Sequence, residues 1–398
     1  MRNSDDEATL RPLSAETLLV VEGRDRRYLN GFVNPPVVHG STVLYPTADD
    51  LRNERGEFHY GREGTPTTNA LTDALMALEG PCCAGVALAP SGLAALTTAL
   101  LAVTKAGDHL LVTDSIYRPT RRFCENVLRR FGVEITYYDP LIGEGIASLF
   151  RPNTSAVLVE APGSQTFEMQ DIPAIAAVAH ASKAVVIADN TWATPLYFRA
   201  LDFGVDLSVQ AATKYIGGHS DIMFGTISAN AAALPALHAA VKDLGQCAGP
   251  DDVFLALRGL RTMAVRLARH QAAGIAIAKW LRDHPAVERV LHPALEDDPG
   301  HAIWKRDFTG ASGLFSVILK PVPQQAVDTF LDALRLFGMG FSWGGFESLV
   351  IPFDCSSYRT ATRWSPAGPA LRFHIGLENI DDLRADLAQA FDAMARVG

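Results

Sequence analysis

The sequence predicts an α/β protein, with a large unit built on a mostly parallel sheet covered by helices and a smaller α+β unit after it. Three observations carry this. Short apolar runs alternate with amphipathic segments through the middle of the chain, the pattern of strand–helix–strand crossovers. The texture changes near Arg258, beyond which the apolar runs are fewer and farther apart. The chain has 398 residues, which at roughly 150 residues per unit gives two or three units.

Taken in order, the residues up to about Tyr60 are polar and then spotted with Pro and Gly, and form an N-terminal arm over 1–60. The strands expected in the large unit, 61–257, are Val86–Ala89, Leu110–Thr113, Ala156–Glu160, Val185–Asp189 and Asp206–Ala211. Helices are expected over Pro119–Phe131 and Ile172–Ala181. The uncharged stretch Ala84–Val103 is long enough to raise the question of a membrane span. Pro90-Ser91-Gly92 divides it, so it reads as strand, turn and buried helix. The last unit, 258–398, opens with a long amphipathic segment from Gly259 to His284. Runs at Glu288–Leu291, Leu314–Leu319, Leu349–Phe353 and Leu371–Ile375 follow as strands. A closing helix from Asp381 to about Arg396 has its N-cap within Asn379–Asp382 and presents Leu383, Leu387, Phe391 and Met394 on one face.

Apolar residues make up 48% and charged residues 20% of the chain, the balance of a folded protein rather than a disordered one. With 35 Lys+Arg against 44 Asp+Glu, the net charge of -9 leaves no footprint for phosphate backbones or anionic bilayers. Neither nucleic acid nor membrane is an expected partner. The five cysteines, Cys82, Cys83, Cys124, Cys247 and Cys355, are odd in number and contain no CxxC, so neither a disulfide framework nor a zinc ribbon is encoded. The acidic N-terminus lacks the basic start and apolar core of a signal peptide, and a cytoplasmic location is expected. The eleven histidines are dispersed, and no metal site is expected.

GxGxxG, GxxxxGK[ST], HExxH and GxSxG are all absent, which removes the usual dinucleotide, nucleoside triphosphate, zincin and hydrolase signatures. What stands out instead is charge isolation, because an ionisable side chain amid strand-forming residues belongs at a strand end facing a cavity. Lys214 is the sole Asp, Glu, Lys or Arg from Leu207 to Ser220. It is either a solvated lysine past a strand or, among apolar neighbours, a nucleophilic amine able to form an imine. Asp189 is the sole charge from Ala184 to Phe198. It either caps a turn or stands at the carboxyl end of a parallel strand, where open α/β sheets place ligands. Arg372 is the sole charge from Trp364 to Leu377, and reads equally as a structural Arg with a distant carboxylate or as a fork for a substrate carboxylate. An imine lysine, an acid for a ring nitrogen and a carboxylate clamp together describe a pyridoxal phosphate enzyme acting on an amino acid. The turn Ser91-Gly92-Leu93 offers backbone N–H groups to its phosphate, and Thr213 offers a hydroxyl.

These motifs resemble a known family. Ser208 to Tyr215, continuing to Gly218-His219-Ser220-Asp221, is similar to the cofactor-lysine motif of the Cys/Met-metabolism branch of fold-type I pyridoxal phosphate enzymes. Tyr60-Gly61-Arg62, Thr65 to Leu71, Leu78-Glu79-Gly80, Pro90-Ser91-Gly92, Asp189-Asn190-Thr191 and Arg258 to Thr262 fall in that family's order, so the resemblance covers nearly the whole chain. It implies the fold-type I transferase fold, with a seven-stranded type of sheet in the large unit. Tyr137 to Gly143 and Ser342 to Leu349, with the tryptophan after the serine weighed most, are most similar to the bacterial cystathionine β-lyase branch.

The resemblance implies that Lys214 carries the cofactor and acts as base, Asp189 meets the ring nitrogen and Tyr117 stacks on the ring, where residue reading alone allows an ordinary packed aromatic. Gly92, Leu93 and Thr213 would hold the phosphate. Tyr60 and Arg62, which by themselves read as an exposed loop, would reach it from a neighbouring subunit, so a dimer with shared sites, assembled into a tetramer, is implied. Arg372 would bind the substrate α-carboxylate, with Ser342 and Trp343 beside it. The implied activity is carbon–sulfur β-elimination of cystathionine and other cysteine S-conjugates in methionine metabolism. A γ-lyase or γ-synthase of the same family, and a cofactor-binding regulator with little turnover, stay as alternatives. Two positions depart from the family pattern. Ala211 replaces a phosphate-binding serine of many relatives, and Lys242-Asp243 is more charged than β-lyases lead one to expect at a pocket entrance.

Overall fold

In the large unit seven strands form one sheet: β1 Gly85–Ala89, β2 His109–Thr113, β3 Glu134–Tyr138, β4 Thr154–Glu160, β5 Val185–Asp189, β6 Leu207–Gln210 and β7 Gly225–Ala229. The computed structural model describes residues 12–397, so residues 1–11 of the expected arm lie outside the described residues. The strand order is β1-β7-β6-β5-β4-β2-β3. Only β7 runs against its neighbours β1 and β6, as the mostly parallel expectation requires.

Alternation along the strands sends one residue set to each face. Helix α1, Pro66–Glu79, leads into β1, and Leu110, Val112, Leu158 and Ile187 pack under helix α2, Gly92–Val103. Leu111, Val157, Val159, Val186 and Ala188 pack under helix α3, Ile172–Ala181. Both faces are covered, and the near-continuous apolar runs of the parallel strands follow from that double burial. The stretch that raised a membrane question is β1 followed by α2. Among the described residues no helix is long and apolar enough to cross a membrane.

Two strands of this sheet escaped the sequence reading. Strand β3 is a half-exposed edge with a charged first residue. Strand β7, GTISA, sets Thr226 and Ile227 among weak strand formers, and is fully buried because it has a neighbour on each side. Tertiary burial here overrides local propensity.

The second sheet has order β10-β11-β12-β9-β8, where β8 is Val287–Leu291, β9 Leu314–Leu319, β10 Gly338–Met339, β11 Leu349–Phe353 and β12 Ala370–His374. Its core is closed by a terminal helix, Ile380–Ala395, whose N-cap Asn379 accepts from the Asp381 and Asp382 amides. Between the two sheets runs a helix of 33 residues, Pro250–Arg282. It starts well before the expected Gly259. That glycine is a packing requirement, not a helix start, because a Cβ there would lie 2.3 Å from the Ile216 and Gly217 carbonyl oxygens.

A buried ion cluster joins the small unit to the end of β2. Asp114 accepts from Arg121 at 2.9 Å and from the Thr360, Ala361 and Thr362 amides at 3.0, 3.1 and 2.9 Å. Arg359 lies 3.4 Å from Asp114 and bonds Glu168 at 2.6 Å. Burial alone would raise the Asp114 carboxyl, but the Thr360 amide and the Arg121 guanidinium outweigh it and bring it down to about 2.

Candidate active site

The carboxyl ends of the parallel strands converge on one crevice, the usual ligand position of such sheets. Strand β5 ends on Asp189, whose Oδ1 accepts from the Thr191 amide at 3.0 Å and from the Thr191 hydroxyl. That hydroxyl oxygen in turn accepts from the Ala211 amide at 2.9 Å, tying β5 to the segment after β6. Burial pushes the Asp189 carboxyl up, while the Thr191 bonds and the nearby Lys214 charge oppose the shift.

Lys214 follows β6. Its Nζ donates to Ser342 Oγ at 2.7 Å and stands 5.2 Å from the centre of the Trp343 ring. Burial, then the Arg372 charge, bring the amine down to about 8, with Asp189 opposing. A lysine in this setting deprotonates near neutral pH.

Arg372, on β12, donates to the Ser342 carbonyl at 3.0 Å. It forms no ion pair with any carboxylate of the described residues, and burial lowers its guanidinium to about 10. The distant-carboxylate reading of Arg372 is therefore not what the structure contains. Ser342 itself has φ +87°, a conformation that residues other than glycine rarely adopt and that clusters at functional sites.

Tyr117 begins the helical turn Arg118–Phe123 with its ring half exposed. Partial burial, then the Asp189 and Glu160 charges, push its phenol up, and Arg372 opposes them. These four groups thus share one neighbourhood.

At the N-terminus of α2, Ser91 Oγ accepts from the Ala94 amide at 3.1 Å. The first-turn N–H groups of Gly92 and Leu93 have no partner within the helix. A Cβ on Gly92 would lie 2.3 Å from Ala211 Cβ, so only glycine leaves the backbone open there. The donor set, with a helix N-terminus for a phosphate, an amine for an aldehyde and a buried acid for a ring nitrogen, fits pyridoxal phosphate. Thr213 fits less directly. Its hydroxyl lies 3.1 Å from the Phe224 carbonyl and accepts from the Phe224 amide at 2.9 Å, so serving a phosphate means giving up the carbonyl.

Among the described residues no bond joins Tyr60 and Arg62 to this cluster. Arg62 lies 6.0 Å from the Tyr60 ring centre, donates to the Lys242 carbonyl at 3.3 Å, and shares Glu63 with Lys242 at 3.7 Å each.

Sequence reading missed Glu160. It is the neighbour of Asp189 across the β4–β5 ladder, and its Oε2 accepts from the Tyr117 amide at 2.7 Å. Burial, then the Asp189 charge, hold its carboxyl well above the usual range. The isolation filter could have found it, since Glu160 is the sole charge between Arg151 and Glu168.

Fold and site together define a pyridoxal phosphate-dependent enzyme of the α/β type. The sequence model of the Cys/Met metabolism PLP-dependent enzyme family matches residues 16–392, and the chain belongs to that family. It is 53% identical over 397 residues to a Rhizobium johnstonii protein provisionally named cystathionine β-lyase, covering 99% of this chain and 100% of that one. It is 44% identical over 387 residues to the cystathionine β-lyase of Salmonella typhimurium, covering 94% and 98%. Among solved structures, the cystathionine γ-synthase of Xanthomonas oryzae, crystallised with aminoacrylate and cysteine, superposes with a TM-score of 0.89 at 31% identity, covering 98% of this chain and 100% of that one.

Proposed function

We propose that the protein cleaves the Cβ–S bond of cystathionine with water, giving homocysteine, pyruvate and ammonia on the route to methionine, and that it accepts other cysteine S-conjugates. The observation that carries the reading is Ser342, whose hydroxyl accepts from the Lys214 amine while its carbonyl accepts from Arg372. One residue thereby sets an amine and an unpaired guanidinium side by side, as an amino-acid substrate needs.

Pyridoxal phosphate, when bound, supplies an electron sink for charge developing at the substrate Cα. The remaining work falls to the chain. Lys214 would anchor the cofactor and, when its amine is free, take the Cα proton, for which an amine lowered to about 8 is suited. Asp189 is ready to pair with the ring nitrogen, and Thr191 holds it in place. Tyr117 would stack on the ring, Arg372 would take the α-carboxylate, and the Gly92 and Leu93 amides with Thr213 would hold the phosphate. Ser342 and Trp343 flank the amine. Tyr60 and Arg62 complete the phosphate site of a second copy, so a dimer is the minimal working unit and a tetramer the expected assembly, in the cytoplasm. In this reading the arm is 1–60, the cofactor unit 61–257 and the C-terminal unit 258–398.

Assaying pyruvate against 2-oxobutyrate from cystathionine tests the reading. Pyruvate as main product supports it. 2-Oxobutyrate would move the protein to the γ-elimination reading, against its similarity to relatives named β-lyases at 53% and 44% identity, and no product would leave a cofactor-binding regulator.

A further inference from the structure

The segment Ser342–Gly345, between β10 and β11, carries Ser342 and Trp343 and has two residues in the left-handed region, Ser342 at φ +87° and Gly344 at φ +85°. Backbone in that region does not hold itself there, since serine gains nothing from it. Two contacts hold the segment. Gly344 lies against Lys214, where an added Cβ would be 3.0 Å from the Lys214 Cα. On its other side the segment lies along β12. Arg372 and His374, two residues apart and so on one face of that strand, reach it at Ser342 and at Gly344-Gly345. His374 Nε2 is 3.1 Å from the Gly344 amide and 3.1 Å from the Gly345 carbonyl.

A neutral ring nitrogen accepts or donates but does not do both. His270 favours the acceptor role. Its Nδ1 meets the Ile375 carbonyl at 2.8 Å, which only a donor can do, so its Nε2 is a bare acceptor. That Nε2 and His374 Nδ1 are both buried without partners, on rings 5.2 Å apart. With the proton on His374 Nδ1, this ring can turn its donor to His270 and leave Nε2 to accept from Gly344. Burial keeps both imidazoles neutral, His270 down to about 4 and His374 well below the usual range, where His270, Arg372 and Lys214 add to the effect.

We propose that His374 is a positioning residue for the Lys214 amine, acting through the Gly344 amide to fix where the Ser342 hydroxyl and the Trp343 ring stand. This rests on the assignment of Lys214 as cofactor anchor and base. Without the bond, the segment relaxes from its left-handed backbone, Nζ loses its acceptor and the Arg372 guanidinium loses its carbonyl. Displacements on the order of 1 Å at reacting groups cost about 10²-fold in rate.

The test uses His374→Leu, which keeps the volume but bonds nothing, and His374→Gln, whose amide oxygen can accept from Gly344. Cofactor content, Tm, kcat and KM are measured, together with the pH midpoint of Lys214 labelling by an amine reagent in cofactor-free protein. The Leu variant is expected to bind cofactor, lose about 10²-fold mainly in kcat, and label with a higher midpoint because the loosened segment admits water to the amine. The Gln variant is expected to recover at least about tenfold of that loss. The proposal is overturned if the Leu variant keeps the parent kcat and midpoint, or if Leu and Gln lose Tm and activity alike. Lys214→Ala is the separate control. Turnover surviving in it would overturn the assignment of Lys214 itself, whatever His374 does.

Discussion

Glu160 and Asp189 are register partners on adjacent parallel strands, two carboxyls at the floor of one crevice. Burial raises both, and the Asp189 charge raises Glu160 further. Neighbouring acids in one apolar site do not both ionise readily, and their environments assign the roles. Thr191 donates twice to Asp189, whereas Glu160 receives one amide, that of Tyr117. The charge therefore belongs on Asp189 and the proton on Glu160. Glu160→Gln, which mimics the protonated acid, should keep kcat within about threefold, while Asp189→Asn should lose on the order of 10²-fold or more. Equal losses in the two variants would refute the assignment.

The Lys214 amine should be reactive well below the range of ordinary lysines. In cofactor-free protein, burial and the Arg372 charge favour its neutral form, so labelling should rise through pH of about 8. Mass spectrometry of a pH series reads this directly, and a midpoint near 10.5 would contradict it. The sign also gives a stability effect. The unfolded lysine holds its proton longer than the folded one, so this residue's penalty is present below about 8 and is relieved as pH rises toward the unfolded value.

Arg372→Leu removes a contact made before and during reaction alike, so KM should rise by roughly 10- to 100-fold with a smaller change in kcat. Arg372→Lys should not restore the loss, because a single ammonium cannot form the two-pronged contact with a carboxylate. Steady-state kinetics separates these outcomes, and a fall in kcat at unchanged KM would rule out the clamp.

Gly92→Ala places a Cβ 2.3 Å from that of Ala211. The overlap should destabilise the protein by about 1–3 kcal/mol and weaken cofactor retention on dialysis. Calorimetry and the absorbance of the dialysed protein check it, and an unchanged retention would mean that the α2 N-terminus is not the phosphate site.

Much of this was legible in the sequence because buried parallel strands and isolated charges leave strong local marks. Val185–Asp189 and Leu314–Leu319 stand where the apolar runs put them. Lys214, Asp189 and Arg372 were separated from ordinary charged residues by their neighbours alone. Strand β7 was not legible, since its burial comes from two flanking strands and not from its own residues. Nor was His374, which looked like one dispersed histidine among eleven. Its meaning depends on Gly344 and His270, thirty and more than a hundred positions away.

The Asp114 cluster predicts a specific acid sensitivity. Its carboxyl sits near 2 in the folded protein and near 3.9 when unfolded. The stabilisation is complete above about pH 4 and disappears as pH falls through 2, worth about 2–3 kcal/mol in all. Asp114→Ala strands Arg121, leaves Arg359 with Glu168 alone, and should cost about 3–5 kcal/mol. Chemical denaturation at pH 7 and pH 3 should show the parent weakening with acid more than the variant does, and parallel curves would contradict this.

The helix Pro250–Arg282 contributes Val253 to Leu267 to one apolar core and Ala273 to Leu281 to another. A boundary at 257/258 falls inside it. The two sheets therefore share a spine and are not beads on a thread. Severing the chain there would strip each core of part of a wall, so neither fragment is a transplantable module. Recombination within this family should tolerate crossovers in the flanking loops far better than crossovers between Pro250 and Arg282.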